Sequence, residues 1–239
     1  MSGSEFLAVM GFGPDGWGAL MLIAALMSVA VAVSGFFIGM VFGSIVCWAR
    51  LSKSALARLL ADGYATVLRG VPDLLVIYLL YFGGSSLLSY IGSMFGAQGF
   101  ISTPAFATGA LAIGVVSGAY QSEVLRGAFL AIHTGQLEAG RAYGMSTPLL
   151  LRRIIVPQLV RFAIPGMENV WQLVLKESAL ISVIGLVELM RQSAIGSGST
   201  HQPFYFYATA ALLYLAVSSV TGWGFRRVEA RAFRGVRKA

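Results

Sequence analysis

Long apolar runs alternate with short polar segments along the whole chain. The first run, residues 19–49, contains no Asp, Glu, Lys or Arg. About 20 apolar residues in a helix cross the hydrocarbon core of a bilayer. The pattern therefore predicts an all-α integral membrane protein with five spans, at about 19–49, 73–82 and beyond, 105–120 with a helical extension through 129, 165–187 and 204–225.

Small residues recur every three or four positions in the first run, so that they share one helix face. Such a stripe lets a second helix approach closely, and we expect a packing face there. Its members are Ser28, Ala32, Gly35, Gly39 and Gly43.

Two connecting segments have distinct patterns. Residues 54–68 keep apolar side chains at helical spacing and predict an amphipathic helix at the membrane surface. Arg58 and Asp62 lie four apart on its polar side, where they can pair. Residues 83–104 are uncharged and rich in Gly and Ser. They predict a loop, although the middle of this segment is apolar enough to lie at the interface or to extend the second span.

Composition agrees with a membrane protein. The chain is 57% hydrophobic and 11% charged, with a mean hydropathy of +0.77, whereas soluble domains average about 25% charged residues. In a soluble protein a net charge of +7 would suggest nucleic acid. In a membrane protein it is typical of cytoplasmic loops enriched in Lys and Arg, and no nucleic-acid partner is expected.

The distribution of cations predicts the topology. If the N-terminus is outside and the C-terminus is cytoplasmic, all Lys and Arg except Lys176 and Arg191 fall in segments on the cytoplasmic side of the membrane. Lys and Arg gather on that side in membrane proteins. We therefore expect an extracytoplasmic segment at 1–18 without the positive region of a cleavable signal, a transmembrane domain at 19–225, and a basic cytoplasmic tail at 226–239.

The segment 134–165 is the longest polar interruption, and it is expected on the cytoplasmic side. A first short helix over residues 136–143 should stop at Gly144. Thr147 is placed to cap a second one, with Pro148 at its first position, that ends at Pro157. By shape alone the segment is either an ordinary loop or a docking element for a soluble partner. The fourth span is expected to begin at Pro165.

The spacing within this segment resembles the EAA motif of ABC importer permeases, which forms a coupling helix against an ATPase. Gly140 stands where the motif usually has a second alanine, and Val156 where it usually has leucine. The resemblance implies an ATPase-coupling role for Glu138, Ala139, Gly140, Gly144, Ile154 and Pro157.

Further segments extend the resemblance over nearly the whole chain, to the polar amino-acid uptake permeases. Residues 69–75, 118–129, 164–186 and 202–206 are similar to the Q-type subunits of histidine/lysine/arginine/ornithine and opine importers. The family implies a five-span type I ABC importer fold in a bacterial inner membrane. It also implies three kinds of partner: a homologous M-type permease subunit, two ATPase subunits and an extracytoplasmic binding protein.

No phosphate-binding motif of the form G-x-x-x-x-G-K-[ST] occurs in the sequence. We therefore expect no cofactor on this chain, with ATP and Mg on the partner ATPase. No catalytic constellation and no metal site are predicted, because His133 and His201 fall in different loops. The chain is expected to be a transport subunit without enzymatic activity of its own.

Ionisable residues within spans are costly and mark functional candidates. Four polar residues of the fourth span share a sector of about 100° at helical periodicity, and Glu177 lies on another face. These groups either pair between helices or subunits, or receive a cationic substrate. The candidates for substrate contact are Glu168, Asn169, Gln172, Lys176, Glu177 and Asp73.

Glu123 and Arg126, three apart at the inner end of the third span, are expected to pair.

The predicted function is import of a polar, basic amino acid or an opine by alternating access. The alternative is a subunit of a carrier or channel driven by an ion gradient. Histidine, arginine, lysine, ornithine and opines all remain open as substrates.

Overall fold

A computed structural model describes residues 9–14, 16–95, 99 and 101–234, and most of the predicted 1–18 segment lies outside these ranges. Nine helices organise the described chain, and a 3₁₀ segment, Ser178–Ile184, links the seventh to the eighth. They are α1 (Gly18–Leu51), α2 (Ala55–Gly70), α3 (Asp73–Met94), α4 (Ala105–Leu130), α5 (Thr134–Ala142), α6 (Thr147–Leu150), α7 (Val156–Glu177), α8 (Leu189–Thr200) and α9 (Pro203–Ala232).

Five of these helices are long enough to cross a bilayer, in agreement with the predicted number of spans. By length and hydropathy together, α1, α3 and α9 qualify as spans among the described residues. Helices α4 and α7 have 26 and 22 residues, or about 39 and 33 Å at 1.5 Å per residue. They are less apolar because polar side chains on them face other helices, including Gln121 on α4 and Gln172 on α7.

The predicted small-residue stripe is confirmed as a packing face of α1, and its glycines pack against α4. All five of its members are buried. A Cβ at Gly35 would lie 2.6 Å from Cγ2 of Ile113, and one at Gly43 would lie 2.9 Å from Cβ of Gln121. Side chains at these positions would force the two helices apart, so the glycines set the distance between α1 and α4.

The predicted loop at 83–104 is wrong over its first half, where the alternative, an extension of the second span, is confirmed. Helix α3 runs through Gly83 and Gly84 to Met94, with a π-helical turn at Leu79–Gly83. Ser85 Oγ lies 3.1 Å from Thr103 Oγ1 and accepts a hydrogen bond from the backbone N–H of Thr103. These bonds hold the connection to α4 close to α3, so the glycines do not break the helix.

Three boundaries near the C-terminal half differ from the prediction. The fourth long helix, α7, begins at Val156 instead of Pro165 and ends at Glu177. The connection between the fourth and fifth predicted spans is helical from Leu189 through Thr200, and the turn lies at His201 and Gln202, where His201 has φ +56°. Helix α9 continues to Ala232, so the segment beginning at residue 226 starts as an extension of the last helix.

Helix α2 is confirmed, but its predicted ion pair is wrong. Arg58 donates to the carbonyls of Ser52 and Lys53 at the end of α1. Asp62 instead binds Arg50, with 2.7 Å between Oδ1 and Nε. Arg50 outcompetes Arg58 because α1 and α2 fold back on each other, a tertiary contact that spacing along one helix does not reveal.

Candidate functional site

The segment 134–157 forms a compact projection, here called the knob, at the end of the molecule where most of the cations lie. Helix α5 ends at Ala142, just before the predicted stop at Gly144, which has φ +75°. The Gly144 N–H donates to the carbonyl of Arg141 at 2.9 Å, and the Met145 N–H donates to that of Gly140 at 3.0 Å. Glycine suits this left-handed turn because it has no Cβ to clash.

Two positions of the EAA motif meet inside the knob. Gly140 is buried, and a Cβ there would lie 2.6 Å from Cδ1 of Leu150 and 3.0 Å from Cδ1 of Ile154. Beneath it, Ile132, Leu150 and Ile155 form a small apolar core. The absence of a side chain at Gly140 therefore lets α5 close onto the segment that leads into α7.

The capping prediction for the second knob helix is wrong by one residue. The residue before α6 is Ser146, which makes no side-chain capping bond, and Thr147 is the first helical residue, followed by Pro148 in the first turn. The helix also does not end at Pro157. A π-helical turn, Leu151–Ile155, leads directly into α7, and this turn accommodates Pro157, which has no N–H to donate.

The remaining motif residues lie on the surface of the knob. Glu138, Ala139 and Pro157 are exposed, and Tyr143 is 88% exposed. This surface mixes apolar and charged side chains, which is typical of a face that binds another protein. It also includes Leu149, Leu151, Arg141, Arg152 and Arg153.

The structure separates the polar residues that sequence periodicity grouped on α7. Gln172 is bound to α9: it donates to the carbonyl of Ser218 at 3.2 Å and accepts from its hydroxyl at 2.6 Å. Glu168 Oε1 lies 4.0 Å from Nη1 of Arg226, also on α9. These two residues therefore have interhelical partners within the chain.

Asn169 and Lys176 have no such partners among the described residues, and both are exposed. Lys176 borders a cavity of about 320 Å³ with Gln172, Tyr214 and Ser218. A lysine or an asparagine in a span does not face lipid. This face of α7 therefore belongs to a water-filled path or to a neighbouring subunit.

Glu177 and Asp73 are two acidic candidates that lie near each other. Their carboxyls, at the end of α7 and the start of α3, are close enough to interact electrostatically. Glu177 is 5% exposed, and neither of its oxygens accepts a hydrogen bond within the described part of the chain. Two carboxylates this close repel each other unless a cation or a proton lies between them.

Glu188 is a buried acidic residue that the sequence reasoning missed. It is fully buried and caps α8: its oxygens accept from the backbone N–H groups of Met190 and Arg191 at 2.9 and 2.8 Å. Its Oε2 also accepts from Ser28 and Tyr214. Its place just before a new helix was the available signal, because acidic residues are common N-caps.

Glu123 joins three helices at the cation-rich end of the bundle. The predicted pair with Arg126 is confirmed at 3.0 Å, and Arg50 and Arg69 lie 2.7 and 3.1 Å from the other oxygen. Three arginines around one carboxylate fix α1, α2 and α4 to one another. The sequence identified these arginines only as markers of topology.

Comparisons with known proteins agree with this architecture. Residues 35–234 match the model of a family described as binding-protein-dependent transport system inner membrane component. The chain is 64% identical to the octopine transport system permease protein of Rhizobium meliloti over 98% of both chains. It is 50% identical to the nopaline transport system permease protein of Agrobacterium fabrum, over 97% of this chain and 98% of that one.

A more distant relative is the histidine/lysine/arginine/ornithine transport system permease protein of Escherichia coli, 34% identical over 94% of this chain and 98% of its own. Among solved structures, an amino acid ABC transporter crystallised with histidines superposes with a TM-score of 0.76 at 29% identity. That match covers 90% of this chain and 95% of the other. The predicted ABC importer fold and family resemblance are thus confirmed, and the chain belongs to the binding-protein-dependent transport system inner membrane components.

Proposed function

We propose that this chain is the permease subunit of an ATP-driven importer that moves an opine or a basic amino acid by alternating access. One observation carries the proposal: the knob runs without interruption into α7, the helix that bears the candidate substrate residues. The π-helical turn Leu151–Ile155, the last part of the knob before α7, leads directly into that helix. A displacement of the knob is therefore transmitted directly to α7.

The partner at the knob is proposed to be an ATPase dimer that binds ATP and Mg, since this chain has no phosphate-binding motif of its own. Glu138, Ala139 and Tyr143 supply the exposed contact surface, and Gly140, Gly144 and Ile154 supply its shape. Pro157 stands exposed at the junction with α7. Closure of the ATPases would push the knob and open the bundle to the outside.

For the substrate, Asp73 and Glu177 are proposed to receive the cationic group. A guanidinium or ammonium between the two carboxyls would remove their repulsion and satisfy the unbonded oxygens of Glu177. The high identity to opine permeases favours an opine over free histidine or lysine. Glu168 and Gln172, which already have partners on α9, are proposed to shape the site instead of binding the cation.

Two further partners complete the proposal. A homologous M-type permease would face the exposed polar side of α7 at Asn169 and Lys176, and an extracytoplasmic binding protein would deliver substrate at the opposite end from the knob. The N-terminus would lie outside and the C-terminus in the cytoplasm of a bacterial inner membrane. The arginines around Glu123 and those of the knob support this orientation, because cations gather on the cytoplasmic side.

The test is ATP-dependent uptake into proteoliposomes that hold the complete complex, measured with octopine, arginine and glutamine. Asp73→Asn and Glu177→Gln should lower uptake of octopine and arginine by about 10- to 100-fold, the cost of a lost charged hydrogen bond. Glutamine uptake should change little. Glu229→Gln, which removes a carboxylate elsewhere on α9, serves as the matched control.

Uptake driven by an ion gradient in the absence of the ATPase would overturn the importer assignment. Equal losses for charged and neutral substrates in the Asp73 and Glu177 variants would overturn the substrate site while leaving the importer assignment intact.

A further inference from the structure

An apolar groove opens on the outside of the bundle between α1, α7 and α9. Two adjoining cavities of about 400 and 330 Å³ form it, and Phe36, Ile164 and Phe225 line both. Along α1 the groove extends from Val29 to Ser44, about 22 Å at 1.5 Å per residue. One leaflet contributes about 15 Å of hydrocarbon to a bilayer, so the groove is long enough for a lipid acyl chain.

The rim of the groove consists of apolar side chains that face outward. Phe37 is 60% exposed and Val228 is 51% exposed. The exposed polar residues of α7, Asn169 and Lys176, emerge on a different face of that helix from Ile164, which lines the groove. A subunit or water path that covers those polar residues therefore lies on a different side of α7 from the groove.

Two arginines stand beside the groove at the end nearest the knob. Arg227 and Arg231 follow the groove residues Gly224 and Val228 by three positions, which places them on the adjacent helix surface. Both are exposed, and no described carboxylate forms an ion pair with either. The Arg227 guanidinium lies 3.8 Å from the ring centre of Trp223, an aromatic residue of the kind found at headgroup level.

We propose that this groove binds an anionic phospholipid of the surrounding leaflet. One acyl chain lies between α1, α7 and α9, and the phosphate is bound by Arg227 and Arg231. The two features complement each other, because an apolar channel that ends at two guanidinium groups without a described carboxylate partner matches a molecule with an apolar tail and a negative head. The inference rests on the groove and its flanking charges and does not depend on the substrate.

The experiment uses the permease complex, purified in mild detergent through a tag on this chain. The complex is stripped of lipid and then titrated with phosphatidylglycerol or phosphatidylethanolamine. Native mass spectrometry counts the bound lipids. Gly224→Leu fills the groove without a clash, since no atom lies within 4 Å of a Cβ at this position. It should lower the affinity for both lipids by about tenfold, because buried methylenes supply the binding energy.

The double variant Arg227→Gln/Arg231→Gln should remove the preference for phosphatidylglycerol over phosphatidylethanolamine. Each arginine should account for an affinity difference of about fivefold, and phosphatidylethanolamine should still bind. Matched controls are Gly63→Leu, an equally open glycine on α2, and Lys53→Gln, an exposed cation outside the groove. Both controls should bind lipid as the parent protein does.

Three results would overturn the proposal. In the first, Gly224→Leu binds both lipids as tightly as Gly63→Leu. In the second, inorganic phosphate competes for the arginines as well as phosphatidylglycerol does, which would make this a site for free phosphate. In the third, a photocrosslinker at residue 224 attaches to a second permease chain and not to lipid, which would make the groove a subunit interface.

Discussion

The hydroxyl of Ser28 donates a hydrogen bond to Oε2 of Glu188 at 3.1 Å, which joins the first membrane helix to the start of α8 across 160 residues of sequence. The same hydroxyl oxygen accepts from the backbone N–H of Leu189 at 3.0 Å. Tyr214 on α9 donates to the same carboxylate at 3.2 Å. One buried acid therefore fixes the relative positions of α1, α8 and α9 by bonding to groups on all three helices.

Replacement of Glu188 should destabilise the whole permease. Glu188→Ala leaves the Ser28 hydroxyl, the Tyr214 hydroxyl and two backbone N–H groups without their acceptor, and we expect a loss of about 3 kcal/mol of stability. Thermal unfolding of the detergent-purified protein, followed by size-exclusion chromatography, measures the effect. Glu138→Ala removes an exposed acid and should unfold like the parent protein. Equal melting temperatures for the two variants would contradict the role of Glu188.

Much of the fold was predictable because helices in a membrane must be long, apolar and internally hydrogen-bonded. The first and third spans and the α1 packing stripe follow from local patterns alone. The boundaries at Gly83, Pro157 and Pro165 were harder. Glycine and proline predict breaks in water, but in a bundle π-helical turns and neighbouring helices accommodate them, so α3 continues past its predicted end and α7 begins before its predicted start.

The candidate site was predictable only in part, for a related reason. Motif spacing identified Gly140 and Gly144, whose role is local to the knob. Which charged residues lie near one another depends on contacts between helices far apart in sequence, as for Glu168 near Arg226 or Glu177 near Asp73. Periodicity on α7 grouped Glu168 with Lys176 and separated Glu177, although the structure makes Glu177 the buried, unbonded acid.

The knob offers a matched pair of glycines. Gly140→Val places a side chain against Leu150 and Ile154, whereas Gly135→Val on the same helix meets open space. Both changes add the same side chain to α5, so the difference between them reports mainly the close contact at Gly140. Gly140→Val should separate α5 from α6 and reduce co-purification of the ATPase or ATP-dependent uptake by about tenfold or more, while Gly135→Val should retain both. Full coupling in the Gly140 variant would show that the knob needs no closed shape.

The cluster around Glu123 should stabilise the cation-rich end of the bundle. Glu123→Gln leaves three arginines without a shared carboxylate, and repulsion among them should destabilise the protein. Because Glu123 is 25% exposed at its side chain, screening reduces the loss to about 2 kcal/mol, below the range for fully buried pairs. Asp62→Asn, whose side chain is 55% exposed, should cost less than 1 kcal/mol.

Unfolding measured at low and high salt distinguishes this explanation from a loss of packing. Salt should restore part of the stability of Glu123→Gln, because it screens the repulsion among Arg50, Arg69 and Arg126. A deficit independent of ionic strength would contradict the electrostatic role.

The remaining question about Glu168 is whether it pairs with Arg226 or selects the substrate, and a double-mutant cycle answers it. At 4.0 Å from Arg226 Nη1, Glu168 should act mainly as a partner for that arginine. Glu168→Gln and Arg226→Gln should each lower transport of octopine and glutamine alike, by about two- to fivefold. The double variant should recover most of the loss, since neither charge is then unpaired. A loss confined to the cationic substrate in Glu168→Gln, with no recovery on adding Arg226→Gln, would assign Glu168 to substrate selection and make the contact with Arg226 incidental.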